Sequence, residues 1–313
     1  MTMKHLLSIE DLDRAAIDRI CDRAASFEEV GERDIKKVPA LRGRTVLNLF
    51  YEASTRTRSS FELAAKRLSA DVVNFVSSGS SVEKGESLKD TVLTLSAHRP
   101  DAIVIRCPWA GAPALLPRWT DAAIVNAGDG KHEHPTQALL DVYTLRRRLG
   151  SLDGANIWIV GDVLHSRVAR SNILAFRRMG ASVTLAGPPT LLPREVESLG
   201  VEVRTTLDGL GEADVVYVLR MQHERMAPGS SFVPSLREFT ALYGITPDRL
   251  SAGQVVMHPG PMNRGVEIDA RVADSGAALI TDQVRSGLVV RMAVLYDLLT
   301  AGPVRSLHPA EVG

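Results

Sequence analysis

The sequence predicts an α/β protein of two doubly wound parallel-sheet domains joined by helices, on three observations. Short apolar runs alternate with amphipathic helical stretches along the chain. The runs are apolar at successive residues, as expected of parallel strands covered on both faces. The segment Gly150-Ser151-Leu152-Asp153-Gly154 breaks the pattern near the middle, and 313 residues are enough for two cores.

The elements follow in order. A first helix with Leu12, Ala16 and Ile20 on one face takes Ser8 as its cap. Strands are predicted at Thr45-Phe50, Asp71-Val76, Asp101-Arg106 and Ala123-Asn126, each leading through a polar loop into a helix. Pro135, placed at a first helical position, opens a helix to about Leu149. The second half repeats the scheme with strands at Asn156-Val160, Ser182-Ala186, Glu202-Thr205, Val215-Leu219 and Gln254-Met257. A last helix, about Gln283 to Leu299, ends at Gly302-Pro303, and the tail over 302–313 is expected to be poorly ordered. The predicted domains are 1–150, completed by the C-terminal helix at about 283–301, and 151–282. Small ligands of such pairs bind in the cleft, where strand C-terminal ends and helix N-termini meet.

Thirty-seven basic residues balance 37 acidic ones, so no global field recruits nucleic acid or an anionic membrane. The start MTMKHLLSIEDLD turns acidic too soon for a signal peptide or anchor, and no apolar stretch has the length of a bilayer crossing. Cys21 and Cys107 are far apart and lack metal-ligand spacing, which suits a reduced, cytosolic chain.

The strongest local signal is Ser54-Thr55-Arg56-Thr57-Arg58, between a strand end and an amphipathic helix, with Ser54 or Thr55 as the natural cap. A helix start offers unpaired N–H groups and a partial positive charge, and here one turn adds hydroxyls and guanidinium groups. Arginines in a first turn oppose the helix dipole by roughly 0.3–1 kcal/mol each, which a bound anion offsets. The bland alternative is a solvated basic helix start. Ser77 to Ser87, with Lys84 at its tip, reads by itself as a surface loop, and Ser87 with Asp90 forms a capping box for the next helix.

Arg106 ends a strand where a cleft ligand would meet it, although a snorkelling arginine fits equally well. His132, Glu133 and His134 precede the Pro135 helix, but alternate residues in a turn make a poor metal chelate, and His134 reads as a hydrogen-bond donor. In the second half, Gly161-Asp162-Val163-Leu164-His165-Ser166-Arg167 stands where a dinucleotide fingerprint would lie, with only one of its glycines. Arg167 and Arg220 instead suit the carboxylates of a small ligand. The loop His258-Pro259-Gly260-Pro261 is rigid and offers backbone carbonyls to an amine.

Taken in order and spacing, these segments are similar over nearly the whole chain to the aspartate carbamoyltransferase family of catalytic chains, within the aspartate/ornithine carbamoyltransferase superfamily. The resemblance rests on Ser54 to Glu62, Lys84-Gly85-Glu86, Arg106, His134-Pro135-Thr136-Gln137, Arg167, Arg220 with Gln222, and the Pro259-to-Ile268 loop. Ornithine relatives carry His-Cys-Leu-Pro where this chain has His258-Pro259-Gly260-Pro261, and a Ser-Met-Gly segment where Arg220-Met221-Gln222 stands. The chain departs from the family at Cys107, where a histidine is frequent, and over Ser230 to Ser235.

The resemblance implies that Ser54, Thr55, Arg56 and Thr57, joined by Ser80 and Lys84, hold the phosphate of carbamoyl phosphate. Thr57, Arg106 and His134 would hold its carbonyl oxygen. Gln137 and the carbonyls of Pro259 and Gly260 would receive the carbamoyl NH2 or the incoming amine, and Lys84, Arg167, Arg220 and Gln222 would receive the carboxylates of L-aspartate. It implies no metal and no cofactor, a place at the committed step of pyrimidine synthesis, and a homotrimer in which the Lys84 loop enters a neighbouring site. Whether such trimers join regulatory chains or a dihydroorotase partner is left open. Rival readings are transfer to another amine such as ornithine, and a noncatalytic anion-binding scaffold.

Overall fold

The computed structural model describes residues 3–76, 86–222 and 235–300. The first domain is a parallel sheet of β1 (Thr45–Phe50), β2 (Asp71–Val76), β3 (Ala102–Cys107) and β4 (Ala123–Asp129), in the order β2-β1-β3-β4. The second is a parallel sheet of β5 (Asn156–Gly161), β6 (Ser182–Ala186), β7 (Glu202–Arg204), β8 (Val215–Leu219) and β9 (Val255–Met257), in the order β7-β6-β5-β8-β9. Each sheet changes winding direction in its interior, between β1 and β3 and between β5 and β8. Crevices form at such points in parallel sheets.

Helices cover the sheets: α1 (Arg14–Ser26), α2 (Glu28–Glu32), α3 (Thr55–Arg67), α4 (Leu88–Ser96), α5 (Pro135–Leu149), α6 (Arg167–Arg178), α7 (Leu236–Tyr243), α8 (Ala270–Ala273) and α9 (Ile280–Thr300). The predicted strands all form, with ends shifted by up to three residues, as expected where polar residues finish a strand. Residues of β1 alternate between cores: Val46 and Phe50 pack into one, Leu47 and Leu49 into the other. The larger core also takes Ile157, Ile159 and Val215 from the second sheet, so one continuous apolar layer runs through α5, α6 and α9 and ties the domains together. The last helix, from the end of the chain, packs on α1, α3 and α5 of the first domain.

One expectation at the start of the chain is corrected. The first helix is capped by Asp13, whose side chain accepts from the N–H of Ala16, and not by Ser8. Ser8 lies in an earlier turn, where its hydroxyl donates to Glu133 and accepts from the N–H of Glu10 at 2.9 Å. A second short polar residue nearer the helix outcompeted it. Ser87 does cap α4, accepting from Asp90 N at 3.2 Å, and its hydroxyl donates to the Asp90 carboxylate at 2.6 Å. Residues 302–313, expected as a loose tail, lie outside the described residues.

Candidate active site

The segments that follow β1, β4, β5 and β9, with the ends of β3 and β8, line one cavity of about 470 Å³. That is within the usual size of small-molecule sites, roughly 300–1,000 Å³. Ser54, Thr55, Arg56, Thr57, Arg106, His134, Gln137, Arg167, Arg220, Gln222, Pro259 and Gly260 all border it. Ser80, Lys84 and the departure over 230–234 lie outside the described residues.

Helix ends set the character of the cavity. α1, α4, α6 and α7 each have a side chain that caps the first turn, Ser166 serving α6 by accepting from Ala169 N at 3.1 Å. Of the helices that start on the cavity, α6 is thus capped, whereas α3 and α5 have no side-chain cap: Ser54 and His134 occupy the cap positions without making the capping bond. For Ser54 this corrects the expected cap. At α3 the first turn offers its N–H groups to a ligand, with the positive end of the helix behind them, whereas at α5 Pro135 has no N–H and that of Gln137 is taken by His134 O at 2.9 Å, which leaves Thr136 N.

Five arginines line the cavity, Arg56, Arg106, Arg167, Arg220 and Arg291, and no carboxylate is among the lining residues described. Arg56, on the first domain, has its basicity lowered by burial and then by the positive charge of Arg220 on the second. The two like charges face each other across the cleft, an arrangement that an anion between them relieves. Arg291, buried in α9, donates to Ser60 Oγ at 2.8 Å and lies over the Phe61 ring, and burial lowers its pKa to about 10.

Close backbone approach explains two glycines. Gly128, with φ +120°, lets the Arg167 guanidinium lie where a Cβ would come within 3.1 Å of its Cζ. Gly260, with φ +62°, leaves room for Arg56, whose Cζ would be 2.8 Å from an added Cβ. Side chains at these positions would be strained by the backbone as well as by space.

The loop after β9 is held from both ends. His258 Nδ1 accepts from Gly260 N at 2.8 Å, so the ring proton sits on Nε2 and is directed at Glu267 Oε1, 3.2 Å away. Gln222 is anchored through its N–H on Asp162 Oδ2 at 3.0 Å, and Asp162 also receives His165 Nδ1 at 2.8 Å. His134 is 4% exposed, with its backbone N–H on Ser171 Oγ at 2.8 Å. His132, by contrast, does not line the cavity and pairs with Asp129 at 2.9 Å on a largely exposed side chain. Glu133 turns inward to accept from Ile9 N at 3.0 Å and Ser171 Oγ at 3.1 Å, and burial raises its pKa.

Sequence reasoning missed Glu52. Its carboxylate binds Nη2 of Arg167 and lies 3.4 Å from Nε of Arg106, linking an arginine of each domain. No local signal marks it, because the arginines it meets come from the end of β3 and the start of α6, far from it in sequence. Arg291 was also missed, being surrounded by apolar residues far along the chain.

Two family models match the chain: the carbamoyl-P binding domain of aspartate/ornithine carbamoyltransferase over residues 4–147, and the Asp/Orn binding domain over residues 153–298. The aspartate carbamoyltransferase catalytic subunit of Salinispora arenicola is 57% identical over 304 residues, covering 95% of this chain and 98% of that one. That of Kineococcus radiotolerans is 58% identical over 310 residues, with 95% and 97% covered. Among solved structures, aspartate transcarbamoylase from Trypanosoma cruzi in complex with carbamoyl phosphate and aspartate superposes with a TM-score of 0.84 at 33% identity, covering 95% of this chain and 97% of that one. The M. jannaschii catalytic subunit gives 0.82 at 36% identity, with 96% and 99% covered.

Proposed function

Because the chain belongs to the aspartate/ornithine carbamoyltransferase family, we propose that it transfers the carbamoyl group of carbamoyl phosphate to the amine of L-aspartate, giving N-carbamoyl-L-aspartate and phosphate. The observation that carries this reading is the cavity itself. Five guanidinium groups and two uncapped helix starts converge on a space that no described carboxylate lines. Both reactants are anionic, and their three acidic groups need such an environment.

In this reading Ser54, Thr55, Arg56 and Thr57 hold the phosphate at the start of α3, with Ser80 and Lys84 supplied from outside the described residues. Thr57, Arg106 and His134 hold the carbonyl oxygen. The neutral amine attacks the carbonyl carbon, a tetrahedral oxyanion forms, and the bond to the bridging oxygen breaks to release phosphate. No covalent enzyme intermediate is required. Each donor aimed at the oxyanion lowers the barrier by about 3–4 kcal/mol, and correct placement of two small reactants by about 7–11 kcal/mol. The departing phosphate takes the proton of the attacking amine. Surrounding cations favour the amine in its neutral form.

Arg167, Arg220 and Gln222 receive the aspartate carboxylates from the second domain, and binding both reactants draws the domains together by relieving the repulsion between Arg56 and Arg220. We place the chain in a cytoplasmic homotrimer in which Lys84 of one chain completes the site of the next. Two buried thiols, neither in a disulfide, suit a reducing compartment.

The decisive assay measures phosphate release from carbamoyl phosphate with L-aspartate or L-ornithine as acceptor. Turnover is expected with aspartate alone; ornithine-dependent turnover, or none with either, overturns the assignment. Arg56→Ala is expected to lose activity by orders of magnitude with an unchanged melting transition, and normal turnover in that variant removes the clamp from the mechanism.

A further inference from the structure

One fully buried carboxylate beside the cavity has no part in the roles above. Asp141 stands one helical turn after Gln137 on α5 and is 0% exposed. Side chains from four elements donate to it. Gln137 Nε2 lies 3.1 Å from Oδ1 and 3.3 Å from Oδ2, Asn172 Nδ2 of α6 3.0 Å from Oδ2, Tyr217 OH of β8 2.7 Å from Oδ2, and Gln283 Nε2 of α9 2.7 Å from Oδ1. Gln283 continues the chain of contacts, because its Oε1 accepts from His258 N at 3.0 Å, at the head of the loop that carries Pro259 and Gly260.

The chemistry of the acceptor determines what these contacts do. An ionised carboxylate has no proton to donate, so every amide that meets it must present its NH2 and turn its oxygen the other way. For Gln137 the other way is the cavity, which it lines. For Gln283 it is the N–H of His258. An apolar residue or an asparagine would fill the same space, but neither forces two amides to take the same orientation. Burial pushes the Asp141 carboxyl up to about 6, against the pull of four side-chain donors, each of which favours the ionised form.

We infer that Asp141 is a positioning residue for carbamoyl transfer: it locks the Gln137 amide with its oxygen facing the cavity and, through Gln283, seats the His258-to-Gly260 loop, so that the carbamoyl NH2 meets acceptors. The inference rests on the reading of the cavity as a carbamoyl phosphate site. It differs from a role in cementing the domains, which any buried polar residue with enough hydrogen bonds can perform.

Asp141→Asn tests it, since the new NH2 faces a ring of donors and an amide must turn to meet it. Carbamoyl phosphate is compared with acetyl phosphate, which has a methyl group in place of the NH2, as competing ligands of the whole enzyme, with inorganic phosphate as reference. The variant is expected to lose about tenfold or more of the wild-type preference for carbamoyl over acetyl phosphate, the effect of one spoiled hydrogen bond to a buried group, with the affinity for inorganic phosphate unchanged. Tyr217→Phe removes a donor and leaves the acceptor, so it is expected to lower stability and keep the preference. In a Gln137→Leu background, Asp141→Asn is expected to add no further loss of preference.

A full wild-type preference in folded Asp141→Asn overturns the inference, as does an equal loss in Tyr217→Phe. A wild-type enzyme that does not transfer carbamoyl groups is a failure of the function reading, and it shows before any variant is made. If Asp141→Asn does not fold, a crystal structure of the wild type with an amide-bearing phosphonate analogue of carbamoyl phosphate decides. The ligand NH2 on Gln137 Oε1, with Gln137 Nε2 on Asp141, supports the inference, and a Gln137 separated from Asp141 overturns it.

Discussion

Replacing Glu52 by glutamine asks whether the arginines of the cleft depend on a counter-charge of their own. Arg167 is 2% exposed, its Nη1 has no hydrogen-bond partner among the described residues, and its Nη2 relies on Glu52. Arg106 Nε is 3.4 Å from the same carboxylate. At an effective dielectric of about 20, one unit-charge pair at that separation attracts by about 5 kcal/mol. Desolvation of Arg167 and the partial exposure of Glu52 offset much of this, and the net contribution of a charge-assisted bond is about 1.5–3 kcal/mol. The glutamine side chain keeps the shape and one acceptor but not the charge. For a domain of this size, a loss of about 2 kcal/mol lowers the melting temperature by roughly 4–8 °C. The two arginines are then left for a ligand to neutralise. Thermal melts with and without N-(phosphonacetyl)-L-aspartate, the compound bound in another Trypanosoma cruzi aspartate transcarbamoylase structure, are expected to show a larger ligand-induced rise in the variant than in the wild type. Equal melting temperatures and equal rises would show that Glu52 is a bystander and that the cleft tolerates its positive charge unaided.

Further predictions follow from the same geometry. Gly260→Ala, which crowds Arg56 at a φ of +62°, is expected to lower kcat/KM for carbamoyl phosphate at least tenfold while costing about 1–2 kcal/mol of stability in denaturant unfolding; unchanged kinetics would mean that the guanidinium moves aside freely. The proposed sharing of sites between chains is tested by mixing Arg56→Ala chains with Lys84→Ala chains, each expected to be inactive alone: recovery of part of the activity is expected, and no recovery argues for self-contained sites. Burial pushes both Cys21 and Cys107 up to about 12, so a thiol reagent at pH 8 is expected to label the native chain far more slowly than the unfolded one, and rapid native labelling would contradict the burial.

The fold was legible because parallel strands announce themselves twice, as short apolar runs and as the starts of helices that follow. Strand ends were less legible. β4 extends through Gly128 to Asp129, and β7 stops at Arg204, because polar residues at a strand end take their place from tertiary neighbours such as the Arg167 guanidinium packed on Gly128. Ser8 failed as a cap for a related reason. Several short polar residues precede α1, and the choice of Asp13 depends on where the helix meets its core, which local sequence does not specify.

The site separates along the same line. Arg56, Arg106, Arg167 and Arg220 are legible as cations, and Ser54, Thr55 and Thr57 as hydroxyls beside them, at helix starts and strand ends, since those places face a cleft in any doubly wound sheet. What periodicity could not supply was the cations' environment. Glu52 is an ordinary acidic residue until Arg106 and the far more distant Arg167, 115 positions along the chain, arrive on either side. Asp141 is harder still, being a polar residue on a helix whose neighbours Leu139, Leu140 and Val142 are apolar, so that sequence alone offers no reason to choose a buried hub over a solvated face. Only three amides and a phenol from different elements, all presenting donors, reveal that the position needs an acceptor. Groups that line the cavity are constrained by where the fold opens, and so leave a local mark. Groups that orient them are constrained by side chains distant in sequence, and their mark appears only when the chain is folded.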